Sequence, residues 1–131
     1  MITYEVKTKS KVELVDISNK VRDAVSKSKI ASGVCTVFVP HTTAAVTINE
    51  NADPSVKADI IMELNKIVPF EDGYSHREGN SAAHIKTSLF GPSLNLLVER
   101  NEVVLGTWQG IYFCEFDGPR RRQFYVQIVG K

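Results

Sequence analysis

The stretch Ile111-Tyr112-Phe113-Cys114-Glu115-Phe116-Asp117-Gly118-Pro119-Arg120-Arg121-Arg122-Gln123-Phe124-Tyr125-Val126-Gln127-Ile128-Val129 decides the fold class. Two runs of β-branched and aromatic residues flank an Asp-Gly-Pro turn, which reads as strands at 111–116 and 123–129. In Ile111-Tyr112-Phe113-Cys114 and in Phe124-Tyr125-Val126 apolar residues occupy both parities, so the sheet is expected to be buried on both faces, with self-association covering the second one. Just upstream, 94–99 and 102–105 read as two further strands around a turn at Arg100-Asn101.

Farther out, Ile2, Tyr4 and Val6 alternate with polar residues in a first strand, and 11–17 repeats the alternation. Ser18 then caps a helix carrying Val21, Ala24, Val25 and Ser28 on one stripe, and Gly33 ends that region. Strands at 34–39 and 44–48 are interrupted by Pro40-His41-Thr42-Thr43, which places His41 exposed at a strand end or bulge. Asp53-Pro54 opens the clearest helix, with Val56, Ile60, Ile61, Leu64 and Ile67 or Val68 at helical spacing and Pro69 as the stop. Residues 70–80 form a polar loop with two glycines, long enough to reach across a surface or into a neighbouring subunit; 81–89 is weakly helical and ends at Gly91-Pro92. Strands first, helices in the middle and strands again predict a single α+β domain over 1–131, a mostly antiparallel sheet with helices packed on one face.

A chain of 131 residues buries roughly two-thirds of its unfolded surface and needs no disulfide staple. Cys35 and Cys114 lie inside apolar segments and read as small buried hydrophobes. A net charge of +1 and a pI near 7.8 provide no bulk field for nucleic acid or an anionic membrane. No signal-like apolar region follows the N-terminus and no run approaches a membrane span, so a soluble cytoplasmic protein is expected.

All three histidines lie in short polar clusters, where loops on a rigid scaffold present functional groups. Imidazole is the commonest metal ligand and titrates near neutral pH, so one polar pocket using His41, His76 and His84 is expected. The first cluster runs from His41-Thr42-Thr43 to Asn49-Glu50-Asn51-Ala52-Asp53. A helix starting at Pro54 offers N–H groups to an anion such as phosphate, and Glu50 or Asp53 offers a carboxylate to a divalent cation; alternatively Asp53 only caps the helix and Asn49 and Asn51 only form turns. In the second cluster, His76, Glu78, Asn80 and His84 match neither a zinc finger nor the His-Glu-x-x-His helix. A chain reversal at Gly79 would bring His76 to His84, and His41 would complete a three-imidazole site of the kind in which zinc keeps an open position; solvent-exposed histidines fit the spacing equally well. In the third, Trp108 either floors a pocket for a flat ring or packs in the core, and Arg120 with Arg121 and Arg122 either contacts phosphate or forms a solvated edge that guards the sheet.

His41-Thr42-Thr43-Ala44 with Ile48-Asn49-Glu50-Asn51-Ala52-Asp53-Pro54, Tyr74-Ser75-His76 with Glu78-Gly79-Asn80 and Ala83-His84, Leu105-Gly106-Thr107-Trp108-Gln109-Gly110-Ile111, and Glu115-Phe116-Asp117-Gly118-Pro119-Arg120 follow in order over nearly the whole chain. Together they resemble the YjbQ-like family of small bacterial and archaeal proteins. The resemblance implies α+β subunits assembled as a homotrimer, with a polar pocket near the subunit boundary. It also implies secondary thiamine-phosphate synthase activity, a transferase reaction joining hydroxymethylpyrimidine diphosphate to a thiazole phosphate with release of pyrophosphate. On that expectation a divalent metal, zinc or magnesium, is held by His41, His76, His84 and Asp53. The catalytic set is His41, Glu50, His76, Glu78 and His84, while Thr42, Thr43, Asn49, Asn80, Trp108 and Arg120 hold a small phosphorylated heterocyclic substrate. The other readings are a metal-assisted phosphoester hydrolase and a non-catalytic trimeric module that binds a phosphorylated metabolite.

Overall fold

A computed structural model describes residues 1–131. In chain order the elements are β1 (Ile2–Lys7), β2 (Glu13–Asp16), α1 (Ser18–Ser28), β3 (Gly33–Phe38), β4 (Ala44–Glu50), α2 (Pro54–Ile67), α3 (Ser81–Phe90), β5 (Ser93–Glu99), β6 (Glu102–Val103), β7 (Gln109–Glu115) and β8 (Arg121–Gly130). The α+β class and the helix positions agree with the sequence. The single sheet does not: there are two, a five-stranded one ordered β1-β8-β3-β5-β6 and a three-stranded one ordered β2-β7-β4, antiparallel throughout.

The doubled parity of β7 has its explanation here. Ile111 and Phe113 face the five-stranded sheet and join a core with Val37, Val46, Phe124 and Val126. Tyr112 and Cys114 face the opposite way and pack with Leu64 of α2 and Ala83 of α3. Both faces of β7 are thus buried within one chain, and its composition needs no partner subunit. The layers run from the five-stranded sheet through the three-stranded sheet to α2 and α3, while α1 adds Val21, Ala24 and Val25 to the central core. No helix is long and apolar enough to cross a membrane.

The Asp117-Gly118-Pro119 turn, expected to close a hairpin, carries the chain from one sheet to the other. Two more connections cross between the sheets at this same end, β1 to β2 and β3 to β4. The register shows it, because Ala44 at the start of β4 pairs with Glu115 at the end of β7, and Lys7 at the end of β1 pairs with Arg121 at the start of β8. The crossings lie close together: Gly118 donates its N–H to the Lys11 carbonyl, and a Cβ on Gly118 would collide with the Ser10 carbonyl oxygen. A glycine is required there because another backbone passes against it. The candidate site is built on this end.

Candidate functional site

Its floor is a buried ion pair. Glu115 follows Ile111 and Phe113 on the inward parity of β7, and Arg122 precedes Phe124 and Val126 on the inward parity of β8. Two opposite charges therefore meet where the sheets come together. Glu115 is 0 % exposed. The Arg122 Nε donates to both of its carboxylate oxygens, at 2.9 and 3.2 Å, and Nη2 reaches one of them as well. Thr8 Oγ1 from the β1–β2 crossing donates to Oε1 at 2.7 Å, and the Asp117 N–H from the β7–β8 crossing donates to Oε2 at 3.0 Å. Arg122 Nη2 also donates to Thr43 Oγ1 at 2.8 Å and to the Thr43 carbonyl at 3.2 Å, tying in the β3–β4 crossing. One ion pair thus fastens all three crossings. Burial alone would raise the Glu115 pKa, but the hydrogen bonds from Arg122, Thr8 and Asp117 outweigh it and hold the carboxyl below its ordinary range.

Above this floor lies a cavity of about 440 Å³ with no hydrophobic residue in its lining. The β3–β4 crossing supplies Pro40, His41, Thr42 and Thr43; the loop before α3 supplies His76, Glu78 and Asn80; α3 supplies His84 from its first turn; β8 and the turn before it supply Arg120 and Arg122. His41 Nε2 lies 3.0 Å from the Gln123 nitrogen and 3.1 Å from the Gln123 oxygen, so β8 pins the ring in either neutral tautomer. Nδ1 is the nitrogen left for a ligand, as acceptor in one tautomer and donor in the other. Burial first, and then the Arg122 cation, push the His41 pKa below its usual value, so this imidazole is neutral at physiological pH. His76 and His84 stand edge to face with ring centroids 5.4 Å apart, and Glu78 Oε2 is 4.0 Å from His76 Nε2.

Asp117 orders the opposite wall. Its Oδ2 accepts from Arg120 Nη2 at 2.8 Å and from Asn80 Nδ2 at 2.9 Å, and its carbonyl accepts from Arg120 Nε at 2.7 Å. A carboxylate only accepts, which fixes the Asn80 amide with nitrogen toward Asp117. Asn80 Oδ1 is then a buried acceptor without a partner. Arg120 keeps Nη1 free for a ligand.

Of the residues expected from the sequence, His41, Thr42, Thr43, His76, Glu78, Asn80, His84 and Arg120 line one cavity. Glu50, Asn49, Asp53 and Trp108 do not. Glu50 and Asn49 end β4, where Glu50 pairs with Gln109, six register steps from the Ala44–Glu115 pair at the site end, on the order of 20 Å along a strand. The Asn49 side chain accepts the Glu50 N–H at 2.7 Å, and Asp53 caps α2 through Ser55 N at 2.9 Å and Ser55 Oγ at 2.8 Å. Those bonds hold the Asp53 carboxyl below its ordinary pKa. The cap reading therefore stands for Asp53, whereas Asn49, read as a turn residue, is part of β4 and pairs with Gly110. Trp108 floors no pocket and enters no core; it is 63 % exposed beside the turn leading into β7.

The metal set is corrected on geometry. His41, His76 and His84 line one cavity, but nowhere in the chain do three or more His, Cys, Asp or Glu side chains come together closely enough to hold a metal ion. Asp53, the only carboxylate of the expected set, is occupied at the α2 cap. The donors do not fit a three-histidine centre.

Sequence reasoning missed Glu115 and Asp117 as site residues, and it read Arg122 as a phosphate contact or a solvated edge, not as the buried partner of Glu115. The three-arginine run is split by parity: Arg121 is exposed while Arg122 is buried. A signal was present, since Glu115 and Arg122 share the strand parity of the core residues Phe113 and Phe124. Lys86 was missed as well. It is 0 % exposed, donates to Asn65 Oδ1 at 2.6 Å, and lies 3.6 Å from the Phe70 ring centroid, with Lys11 4.1 Å from the same centroid. Desolvation, helped by the Lys11 charge, pulls its pKa down to about 8. Cys35 and Cys114 are buried and unpaired; burial raises the Cys35 thiol to about 11 and the Cys114 thiol further, which makes both inert.

A family model described as UPF0047 protein YjbQ-like matches residues 2–131. UPF0047 protein MJ1081 of Methanocaldococcus jannaschii is 53 % identical over 130 residues, covering 99 % of this chain and 94 % of its own. UPF0047 protein YugU of Bacillus subtilis is 46 % identical and covers 98 % of both. Among solved structures, an uncharacterized conserved protein of the YjbQ/UPF0047 family from Clostridium acetobutylicum superposes with a TM-score of 0.97 at 51 % identity, covering 98 % of this chain and 100 % of that one. A YbjQ-like protein of unknown function from Sulfolobus solfataricus gives 0.96 at 34 % identity, with 99 % and 96 % covered. These relatives overturn the thiamine-phosphate synthase and transferase expectation: they are described as uncharacterized or of unknown function, or by family name alone, and the metal centre that reaction was to use is not formed. What a match over residues 2–131 and relatives of this identity and coverage do show is that the chain belongs to the YjbQ-like UPF0047 family.

Proposed function

We propose that the cavity between the sheet crossings and α3 binds a small phosphate-bearing molecule and that its imidazoles transfer a proton on that ligand. One observation carries this reading: three imidazoles and two guanidinium groups line the same cavity of about 440 Å³. Arg122 is buried and committed to Glu115 and Thr43; Arg120 is also paired, with Asp117, but its side chain is half exposed, so it is the guanidinium that can meet an anion in the cavity that Thr42 also lines. The neutral His41 ring, which lines the same cavity as Arg120, offers Nδ1 for proton transfer. Asn80 Oδ1 offers an acceptor to a donor on the same ligand.

Calorimetric titration of inorganic phosphate and methyl phosphate tests it. Arg120→Gln is expected to weaken binding by about tenfold or more, the loss of one charge-assisted contact. Unchanged affinity in that variant overturns the reading. The same titration with added zinc or magnesium tests whether a divalent cation assists binding.

A cytoplasmic homotrimer belongs to the same proposal. Two buried, unpaired thiols suit a reducing compartment. Self-association is supported by the outer face of the five-stranded sheet, where Val34 pairs with both Leu97 and Val129 and all three side chains are exposed. Such a contiguous apolar patch marks an interaction surface. Sedimentation equilibrium is expected to give a trimer for the native chain and a monomer for Leu97→Lys; an unchanged mass in the variant excludes this face.

A further inference from the structure

A second cavity of about 440 Å³ is lined by Arg22 and Ser26 of α1 and by Arg100, Asn101, Glu102 and Val103 of the β5–β6 turn and β6. It lies away from the sheet crossings. Ser93 at the start of β5 pairs with Phe38 at the crossing end, and the seven-residue strand then carries the chain to Glu99, on the order of 20 Å farther on. The wall is well anchored. Asn101 Nδ2 donates to the carbonyls of Val25 and Ile30 at 2.9 and 2.8 Å, and its backbone N–H donates to the Ala31 carbonyl at 2.9 Å, so the turn is fastened to the C-terminal end of α1. Arg100 and Asn101 join Glu99 to Glu102 with φ of 53° and 59°. Asparagine takes that left-handed conformation readily, whereas arginine does not. The backbone alone therefore favours asparagine or glycine at position 100, and a reason for arginine has to come from its side chain.

Arg22, Arg100 and Glu102 share this cavity, yet none of them forms an ion pair. The Arg22 guanidinium has only a long contact, 3.4 Å, to Asn19 Oδ1. We infer that the cavity binds a free acidic amino acid, whose two carboxylates meet Arg22 and Arg100 and whose ammonium meets Glu102. The charges match one to one: two guanidinium groups for two carboxylates, and one carboxylate for one ammonium. Ser26, one helical turn from Arg22, adds a hydroxyl on the same side of α1. A phosphate dianion would lie against Glu102 with no donor to offer it, and a plain dicarboxylate would leave Glu102 unpaired. The volume suits a ligand of this size, since small-molecule sites span about 300–1,000 Å³.

Calorimetric titration of L-glutamate and L-aspartate into the full chain tests this, with glutarate and succinate as the matching dicarboxylates that lack an ammonium. One of the two amino acids is expected to bind, about tenfold tighter than its dicarboxylate. Arg100→Asn, which suits the left-handed backbone, and Arg22→Gln, which keeps a good helix former in α1, are each expected to weaken that amino acid by about tenfold or more. Both variants should unfold at a temperature close to that of the native chain, so a lost affinity reads the site and not the fold. Glu102→Gln is expected to weaken the amino acid while the dicarboxylate binds as before or tighter, which removes the preference between them. No binding of either amino acid at millimolar concentration, equal affinity for amino acid and dicarboxylate in the native chain, or an affinity that survives both arginine substitutions overturns the proposal. Each of these results leaves the phosphate site by Arg120 standing.

Discussion

Replacing Glu115 with alanine is expected to destabilise the protein by about 3–5 kcal/mol, the usual consequence of stranding one member of a buried ion pair. The substitution leaves the Arg122 guanidinium buried and opposite no carboxylate, and it deprives Thr8 Oγ1 and the Asp117 N–H of their acceptor. Thr8 and Asp117 belong to two different sheet crossings and Arg122 holds Thr43 of the third, so the loss is structural as well as electrostatic. Urea unfolding at pH 7 measures it, and a loss below about 1 kcal/mol would show that solvent reaches the pair and screens it. Replacing both Glu115 and Arg122 with leucine is expected to recover most of the stability, because the desolvation cost disappears along with the attraction. Phosphate binding should not recover, since Thr43 has then lost the donor that holds it. The Glu115 carboxyl titrates below its ordinary value in the folded state, so its contribution is complete above about pH 4.5, the unperturbed value, and fades as the pH falls below it.

Lys86 should make stability depend on pH at the other end of the scale. In the unfolded chain its ammonium keeps a proton up to about 10.5; in the folded chain it releases it near 8. Between those values the unfolded state binds more protons, so stability rises with pH across this window. The displacement corresponds to roughly 2–3 kcal/mol once the stabilising ring contact with Phe70 and the Asn65 hydrogen bond are taken into account. Unfolding midpoints measured at pH 7, 8, 9 and 10 and at one protein concentration read the slope. In Lys86→Met the rise attributable to this residue should vanish, and at pH 7 the variant should be at least as stable as the native chain. A parallel pH profile in both proteins would show that Lys86 stays charged in the fold.

Local signals in the sequence located most elements. Asp53-Pro54 and Pro69 bracket α2 to within two residues because capping and proline sterics act on neighbouring atoms. The division into two sheets was not legible. Asp117-Gly118-Pro119 has the composition of a hairpin turn, and only long-range contact between three separate connections turns it into a crossing. For the site, three histidines in polar clusters were enough to anticipate a common cavity, whereas Asn49, Glu50 and Asp53 were misplaced. They follow His41 closely in sequence, but β4 runs away from the cavity, and an extended strand separates residues that a loop would have kept together. Glu115 and Arg122, seven residues apart in sequence, escaped notice as a pair for a different reason. They are adjacent in space because two strands of different sheets meet at their ends.

The placement of Trp108 has a practical side. The chain has one tryptophan, and it stands largely in water while the protein is folded. Its emission colour therefore changes little on denaturation, and melting curves are better followed by circular dichroism. A contact that covered the indole would shift the emission to the blue without any unfolding, which makes the same residue a built-in optical gauge of assembly.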